Sequence, residues 1–318
     1  MVDSNRLATI DLGTNTFLLL ISEWRDGELC PVFQTAKIVR IGEDVDRTGR
    51  FGETPMQRAL DCLRRFADLA QEHGARPILA CGTSAFRDAS NRDAFIQRVR
   101  HEIGINIRVI SGEKEAEYSY LGALSNKRNL PDPYLMLDIG GGSTELCWGD
   151  RDRMTGRLSL DMGSVRLTER LLRHDPVLPE ELEQARASIE KVLREQVRLP
   201  EPFAMRDHQT GTFLGVAGTV TTLAAMLHKV EPYVANRIDG SRLPLAAVQA
   251  LISEIAKRSI QERKRMIGLS PKRADVILAG ALILEAVMQF VQRDSIIVSD
   301  RGLRYGMALE FFQNKPTV

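Results

Sequence analysis

The first third of the chain alternates short apolar runs with turn-forming residues. Residues 6–11 and 16–22 are apolar runs of strand length, and the turn between them contains Gly13. Asp26-Gly27 favours a hairpin into a third run, residues 29–39. The spacing therefore predicts three antiparallel strands at the start of the chain.

Helical periodicity follows these strands. Thr54 and Pro55 suit an N-cap and a first helical position, and apolar residues then recur on one face up to His73. Further along, the pattern predicts a strand over 77–81, a loop and turn over 82–87, a helix over about 92–102, a strand over 105–110 and a helix from 111 to about 126. The order β-β-β-α-β-α-β-α is the ribonuclease-H-like pattern.

The same order restarts after a polar, proline-containing run that begins near residue 126. It predicts strands over 134–138, 144–149, 154–161, 212–216 and 296–300, and helices over 164–174, 179–197, 217–227, 245–258, 271–292 and 303–312. We therefore predict an α/β protein with two ribonuclease-H-like domains, each a mixed five-stranded sheet flanked by helices. The expected domains are residues 1–126 and 127–302, with a terminal helix over about 303–318 packed back on the first.

Composition narrows the function. The 318 residues are 43% hydrophobic, which is ample for two buried cores. Lys and Arg number 43 against 42 Asp and Glu, so no overall basic field favours nucleic acid or a membrane surface as a partner. The four cysteines lack CxxC spacing, which favours reduced thiols over a zinc site. Without an apolar run of membrane-spanning length or a signal-peptide pattern, we expect a cytoplasmic protein.

Three glycine-containing turns indicate phosphate binding. Asp11 and Asp138 each end an apolar strand and precede such a turn, and a third turn lies at Gly215–Thr219. Glycine lets the backbone approach an anion and aim N–H groups at it, and a carboxylate can meet the cation that accompanies phosphate. Tight turns between packed elements would explain each glycine, but not the hydroxyl residue that repeatedly follows. We therefore expect one phosphate site, closed from several sides in the cleft between the domains.

The motifs resemble those of the exopolyphosphatase and guanosine pentaphosphate phosphohydrolase family, within the acetate/sugar kinase, heat-shock chaperone and actin superfamily. They occur in the family's order and extend over nearly the whole chain. They are Ile10-Asp11-Leu12-Gly13-Thr14-Asn15-Thr16, Gly82-Thr83-Ser84-Ala85 with Arg87, Ala89 and Asn91, Ile110-Ser111-Gly112 with Glu115-Ala116, Asp138-Ile139-Gly140-Gly141-Gly142-Ser143-Thr144-Glu145, Gly215-Val216-Ala217-Gly218-Thr219, and Ser299-Asp300 with Gly302-Leu303-Arg304 and Gly306. The chain resembles the short, two-domain form of the family.

The resemblance implies an actin-like fold and an Mg²⁺-dependent enzyme that releases terminal phosphate from inorganic polyphosphate, from guanosine pentaphosphate of the stringent response, or from both. It places the general base at Glu115 and a phosphate-binding cation at Arg87. The expected Mg²⁺ carboxylates are Asp11, which can act through water, Asp138 and Glu145. The expected phosphate cradle consists of Thr14, Asn15, Gly141, Gly142, Ser143, Gly218 and Thr219.

Purely structural interpretations compete with these roles. An acidic residue early in a helix favours the helix dipole, which is our interpretation of Glu113, and Glu117 is expected to be solvated. Arg87 in Phe86-Arg87-Asp88 would by itself suggest a surface ion pair. Seven cations between Lys257 and Arg273 form either a solvated face or a track for a polyanion. Arg166, Arg301 and Arg304 are weaker candidates for the cleft.

Two other functions stay open. A phosphotransferase of the same superfamily would need a purine pocket, which the sequence neither indicates nor excludes. A non-catalytic nucleotide-binding or assembly protein would not need Glu115, Arg87 and all three turns. The sequence does not choose between polyphosphate and guanosine pentaphosphate, and a homodimer is one candidate assembly.

Overall fold

The computed structural model describes residues 5–127, 129–200, 203 and 211–314. The chain forms two compact units. Unit 1 comprises Met1–Asn126 and Arg301–Val318, and unit 2 comprises Lys127–Asp300. The last four residues of the terminal helix expected over 303–318 lie outside the described residues.

Unit 1 is built on a mixed sheet with the strand order β3-β2-β1-β4-β5. Its strands are β1 (Arg6–Leu12), β2 (Thr16–Arg25), β3 (Glu28–Ile38), β4 (Ile78–Gly82) and β5 (Ile107–Val109). The first three pair antiparallel, and β4 and β5 continue the sheet in parallel from β1. Asp26 and Gly27 both have positive φ, as the predicted two-residue hairpin requires. This is the ribonuclease-H-like topology that the sequence predicts.

Helices flank this sheet. They are α1 (Val45–Thr48), α2 (Glu53–Glu72), α3 (Ser84–Asp88), α4 (Arg92–Ile103), α5 (Gly112–Leu124) and the terminal helix α13 (Leu303–Gln313). The predicted N-cap Thr54 was wrong, because α2 begins after Gly52. Pro55 is tolerated inside this first turn, where amides have no intrahelical partner. The predicted loop over 82–87 also proved to contain a short helix, α3.

Close contact between α5 and α13 depends on glycine. A Cβ on Gly122 would lie 2.1 Å from the carbonyl oxygen of Gly302, and one on Gly306 would lie 2.0 Å from that of Tyr118. Only hydrogen fits at either position, since real Cβ atoms do not approach backbone this closely. The two glycines therefore bring the terminal helix into direct backbone contact with α5.

Unit 2 repeats the plan with one more strand. Its sheet has the order β10-β11-β9-β6-β7-β8. The strands are β6 (Tyr134–Ile139), β7 (Thr144–Gly149), β8 (Met154–Leu160), β9 (Thr212–Val216), β10 (Arg242–Pro244) and β11 (Ser295–Val298). The prediction of five strands was wrong, because it missed β10. Three residues are too few to show a period of two, and the strand ends in a proline, which is tolerated at a sheet edge.

The helices of unit 2 surround a buried one. They are α6 (Ser164–Leu171), α7 (Pro179–Gln196), α8 (Ala217–Leu227), α9 (Ala235–Ile238), α10 (Leu245–Ala256), α11 (Ile260–Arg263) and α12 (Ile277–Phe290). Every residue of α12 from Ile277 to Met288 is buried, as expected for a helix that is apolar apart from Glu285, which pairs with Arg186. The predicted helix over 271–292 was too long, since a 3₁₀ turn at Pro271–Arg273 precedes α12.

The four cysteines are free thiols, as their spacing predicts. Burial raises the pKa of Cys62 and of Cys81 to about 12, so both stay protonated near neutral pH. Among the described residues, no helix has both the length and the apolar character needed to cross a bilayer.

Candidate active site

The turn after β1 presents its carbonyl oxygens to one loop. The carbonyl of Asn15 accepts hydrogen bonds from the amides of Val39 and Arg40, both at 3.0 Å, and that of Thr14 accepts from Gly42 at 3.0 Å. Within the described residues, the amides of Thr14 and Asn15 donate to no backbone carbonyl. Since the carbonyl side is occupied, the amide side of this turn is available to a phosphate oxygen.

The Asn15 side chain adds an unsatisfied polar atom. Its Oδ1 is buried and has no hydrogen-bond partner among the described residues. A buried amide oxygen ordinarily has a donor, and the two ends of an asparagine amide exchange by a simple flip. A metal-bound water would satisfy the oxygen, and with the amide inverted a phosphate oxygen would satisfy the nitrogen. Either arrangement fits the predicted binding role of Asn15.

Arg87 and Glu115 form an ion pair. Arg87 lies on α3, directly after β4, and its Nη1 is 2.7 Å from Oε2 of Glu115 and 3.2 Å from the carbonyl oxygen of Ile110. The Glu115 residue is only 9% exposed. The surface ion pair that Arg87 suggested is thus a largely buried pair with the candidate base. This contact fixes the direction of the Glu115 carboxylate.

Local sequence explains the position of Glu115. Ser111 caps α5 by accepting a hydrogen bond from the amide of Lys114 at 3.3 Å, and the Glu115 amide donates to the Ser111 carbonyl at 3.0 Å. Glu113 is exposed, in agreement with a helix-dipole role. Glu117 is half-buried and 3.2 Å from Lys114 rather than fully solvated, so that expectation was too simple.

A cluster of charged and polar side chains attaches α5 to the terminal helix α13. Lys114 Nζ lies 2.5 Å from Oε1 of Glu310 on α13, and the Tyr118 hydroxyl donates to Oε2 of the same carboxylate at 2.6 Å. Burial alone would raise the pKa of Glu310, but the hydrogen bonds from Lys114 and Tyr118 outweigh it and lower the pKa. Glu310 therefore stays ionised and ties the terminal helix to the helix that carries Glu115.

In unit 2, Asp138 and Glu145 face each other across β6 and β7. They are direct partners in the antiparallel register, and Ser159 on β8 continues the row. Directly opposite residues share one face of a sheet. Glu145 is fully buried, and its Oε1 accepts a 2.8 Å hydrogen bond from the Ser159 hydroxyl, while Asp138 is 9% exposed. Asp138 is thus slightly more exposed than Glu145, its neighbour on the same face.

The glycine turn after β6 is held by helix α6. The amide of Ser164 donates to the Gly140 carbonyl at 2.9 Å, and that of Val165 donates to Gly141 at 2.8 Å. Arg166 Nε donates to the Gly142 carbonyl at 2.8 Å, so this candidate cation braces the turn. In the described chain, the amides of Gly141 and Gly142 bond to no protein carbonyl.

The third turn joins β9 to α8. Ala217 has φ of 64°, an unusual left-handed conformation for a residue with a side chain. Thr219 donates its hydroxyl to the Ile139 carbonyl at 3.3 Å, which ties the helix start to the end of β6. Because the first amides of a helix have no intrahelical acceptor, the start of α8 suits an anion.

Arg273 is a site residue that the sequence did not single out. A Cβ on Gly218 would lie 1.8 Å from Arg273 Nη1, so the guanidinium packs directly on this glycine. Burial lowers the pKa of Arg273, though arginine remains charged at any physiological pH. In the sequence Arg273 is one cation of a basic run. Only the packing of the 3₁₀ turn against α8 distinguishes it.

Arg301 and Arg304 serve unit 1 internally. Arg301 Nη1 donates to the Ser125 hydroxyl at 3.2 Å, and Arg304 Nη2 donates to Gln34 Oε1 at 3.0 Å. The Arg304 carbonyl also accepts from Thr9 at 2.9 Å. The Arg301 contact ties the start of the terminal segment to the end of α5, and the Arg304 contacts attach α13 to the first sheet.

The donor set is compatible with Mg²⁺. Among the described residues, no three or more Asp, Glu, His or Cys side chains gather as a complete metal cage. Magnesium does not need one, because it takes one or two carboxylates and completes its octahedron with water and substrate oxygens. Asp138 and its neighbour Glu145 supply that number of carboxylates. Asp11 is half-buried at the end of β1 in unit 1.

Comparison with known proteins is consistent across the chain. The model of the Ppx/GppA phosphatase family matches residues 20–315. Exopolyphosphatase 2 of Mycobacterium tuberculosis is 34% identical over 318 residues, covering 96% of this chain and 98% of that protein. A crystal structure of the Aquifex aeolicus member of the Ppx/GppA family is 30% identical, with a TM-score of 0.81 and coverage of 98% of this chain and 99% of that chain.

A longer relative contains the same region as a part. The bifunctional 3-dehydroquinate synthase/phosphatase of Fusobacterium nucleatum is 34% identical over 316 residues. The match covers 97% of this chain but 47% of that protein, so the chain spans about half of its length.

Proposed function

Because the chain belongs to the Ppx/GppA phosphatase family, we propose that it is a phosphohydrolase that releases the terminal phosphate of inorganic polyphosphate. The observation that carries this proposal is the buried Arg87–Glu115 pair beside a turn with available amides. The exopolyphosphatase of Mycobacterium tuberculosis, to which most of the chain aligns, supports the choice of substrate.

The proposed reaction is an in-line displacement by water. Glu115 accepts a proton from the water as its oxygen bonds to the terminal phosphorus. The bridging P–O bond breaks, and its electron pair stays with the shortened chain. Glu115 then releases the proton to solvent, which returns it to the carboxylate form, and orthophosphate leaves. General base catalysis of this kind contributes roughly 10²–10⁴ in rate.

The remaining residues bind and neutralise phosphate. The amides of Thr14, Asn15, Gly141 and Gly142, with those at the start of α8, are the proposed donors to phosphate oxygens. Arg87 supplies a guanidinium, whose planar set of N–H donors matches the oxygens of a phosphate group. Asp138 and Glu145 would hold Mg²⁺, with Asp11 acting through water, and the ion would neutralise charge on the phosphate oxygens.

The decisive experiment compares two glutamates on one helix. Glu115→Gln should lower kcat for phosphate release about 10²-fold or more, because the proton acceptor is lost. Glu113→Gln, on the exposed side of the same first turn, is the control and should keep wild-type turnover. Near-normal phosphate release by Glu115→Gln would overturn the assignment. Circular dichroism of both variants checks that α5 still folds.

Guanosine pentaphosphate is an alternative substrate, because it ends in a phosphoanhydride like that of polyphosphate. A side-by-side phosphate-release assay on tripolyphosphate, long polyphosphate and guanosine pentaphosphate measures the preference. If a phosphorylated acceptor accumulates in place of orthophosphate, the chain is a phosphotransferase. Tight binding without turnover at any Mg²⁺ concentration would indicate a non-catalytic binding protein.

A further inference from the structure

The basic segment, residues 263–273, runs along helix α8 toward the third turn. A Cβ on Gly268 would lie 2.5 Å from the carbonyl oxygen of Ala225, near the end of α8, and Arg273 packs on Gly218 at its start. The seven residues from Gly218 to Ala225 rise about 10 Å along the helix axis. The segment thus connects the phosphate turn with a point about 10 Å away on the surface of the same unit.

The charge of this segment has one sign. It reads RKRMIGLSPKR and contains five cations and no carboxylate. Arg263 is 1% exposed and donates from Nε to the Ile255 carbonyl at 2.9 Å, so it has a structural role. The side chains of Lys264, Arg265 and Lys272 are exposed. Three exposed cations therefore lead to Arg273 at the turn.

The nearby carboxylates make hydrogen bonds with the backbone. Glu262 accepts from the Ser259 amide at 2.8 Å in a capping box, and Asp175 accepts from the Ile260 amide at 2.7 Å. Glu231 accepts from the Gly268 amide at 3.4 Å, and Asp275 follows the segment in sequence. They reduce the local charge, and the segment itself carries no carboxylate.

We propose that Lys264, Arg265 and Lys272 form a track that binds the distal phosphates of a polyphosphate chain whose terminal phosphates lie at the third turn. This deepens the proposed function and rests on it. Exposed cations act on a flexible polyanion through charge rather than fixed geometry, so their effect should fall with added salt. The track would select long polyphosphate over substrates that end near the terminal phosphate.

The test removes the three exposed cations together. The variant Lys264→Gln/Arg265→Gln/Lys272→Gln should raise KM for long-chain polyphosphate about 10-fold, because three charge contacts with the distal phosphates are lost. Its kcat, and its KM for tripolyphosphate, should stay within about twofold of wild type. The salt dependence of KM for long chains should also become weaker.

A matched control distinguishes the loss of the track from a loss of net charge elsewhere in unit 2. Arg157, Lys191 and Arg194 are exposed cations of unit 2 outside the basic segment, and their triple change to glutamine removes the same net charge. It should leave both KM values unchanged. The proposal is overturned if the control raises KM for long chains equally, or if the track variant raises KM for tripolyphosphate as much as for long chains.

A binding measurement keeps this test separate from the proposed hydrolysis. Titration of long polyphosphate into the wild type and the track variant reports affinity without turnover. If the wild type hydrolyses nothing but binds the polymer more tightly than the track variant, the hydrolase proposal fails and the track stands. If both bind equally, the track fails whatever the activity.

Discussion

The turns after β1 and β6 solve one problem in two ways. Both direct their carbonyl oxygens into protein, which leaves the amides on the side that we propose binds an anion. In unit 1 the donors come from residues 39–42 and the turn carries polar side chains, including the buried Asn15. In unit 2 the donors come from α6 and Arg166, and the turn consists of three glycines followed by Ser143. The side chains of the first turn can rotate to fit a ligand, whereas the glycine turn of unit 2 can change shape only if its backbone moves.

A glycine packed on each turn makes this difference measurable. A Cβ on Gly163 would lie 2.4 Å from backbone atoms of Gly141, while one on Gly42 would lie 2.3 Å from Cγ2 of the Thr14 side chain. Backbone can relieve the first clash only by moving the turn, but rotation of Thr14 can relieve part of the second. The same substitution should therefore have unequal effects in the two units.

Gly163→Ala should have the larger effect. Forcing a methyl group against the glycine turn should lower the free energy of unfolding by about 2–3 kcal/mol. It should also lower kcat for phosphate release at least 10-fold, because displaced amides no longer match the phosphate oxygens. Urea denaturation and a phosphate-release assay measure the two effects. If the variant is as active and as stable as the wild type, the glycine turn of unit 2 is not rigid.

Gly42→Ala should cost less, about 1 kcal/mol of unfolding free energy. We expect a KM increase of a few-fold with little change in kcat, since Thr14 contributes to binding and can rotate. The comparison between the turns breaks down if Gly42→Ala proves as damaging as Gly163→Ala in the same two assays.

Glu310→Gln tests how Glu115, the proposed general base in unit 1, is positioned. The change weakens the contact with Lys114 while keeping a group that can accept from Tyr118. We expect kcat to fall several-fold with unchanged KM, because Glu115 loses alignment but the phosphate turns are untouched. Glu310→Asp, which keeps the charge, should recover part of the loss. A rise in KM alone would contradict a positioning role.

Glu181 should make the free energy of unfolding of unit 2 depend slightly on pH. Burial opposes its ionisation, but hydrogen bonds from His174 and the amides of Arg173, Leu178 and His174 lower its pKa to about 2. A carboxylate whose pKa is lowered on folding stabilises the folded state fully above its ordinary pKa of 4.5, and this contribution is lost as pH falls toward 2. Glu181→Gln should therefore flatten the decline in unfolding free energy between these pH values. An unchanged decline would mean that other carboxylates cause it.

Most strands of both sheets could be predicted because the sequence signal for each strand is local. Apolar runs, Asp26-Gly27 and the strand-ending Asp11 and Asp138 set strand order and turn positions, since φ preferences and periodicity act over a few residues. The phosphate turns carry their own signal in glycine and hydroxyl residues. The strand Arg242–Pro244 has too few residues for such a signal. It is defined instead by its pairing with β11 at the edge of the sheet.

Contacts between residues far apart in sequence could not be predicted, and only the structure shows them. Lys114 and Glu310 are 196 residues apart, and nothing near either one indicates that they pair. Arg273 resembles the other cations of its segment until the chain packs it on Gly218. The chemistry available to the protein is thus written in short motifs, because a turn or a strand end needs only its own residues. Which charged groups support that chemistry depends on packing, because burial and close approach arise only when separate elements meet.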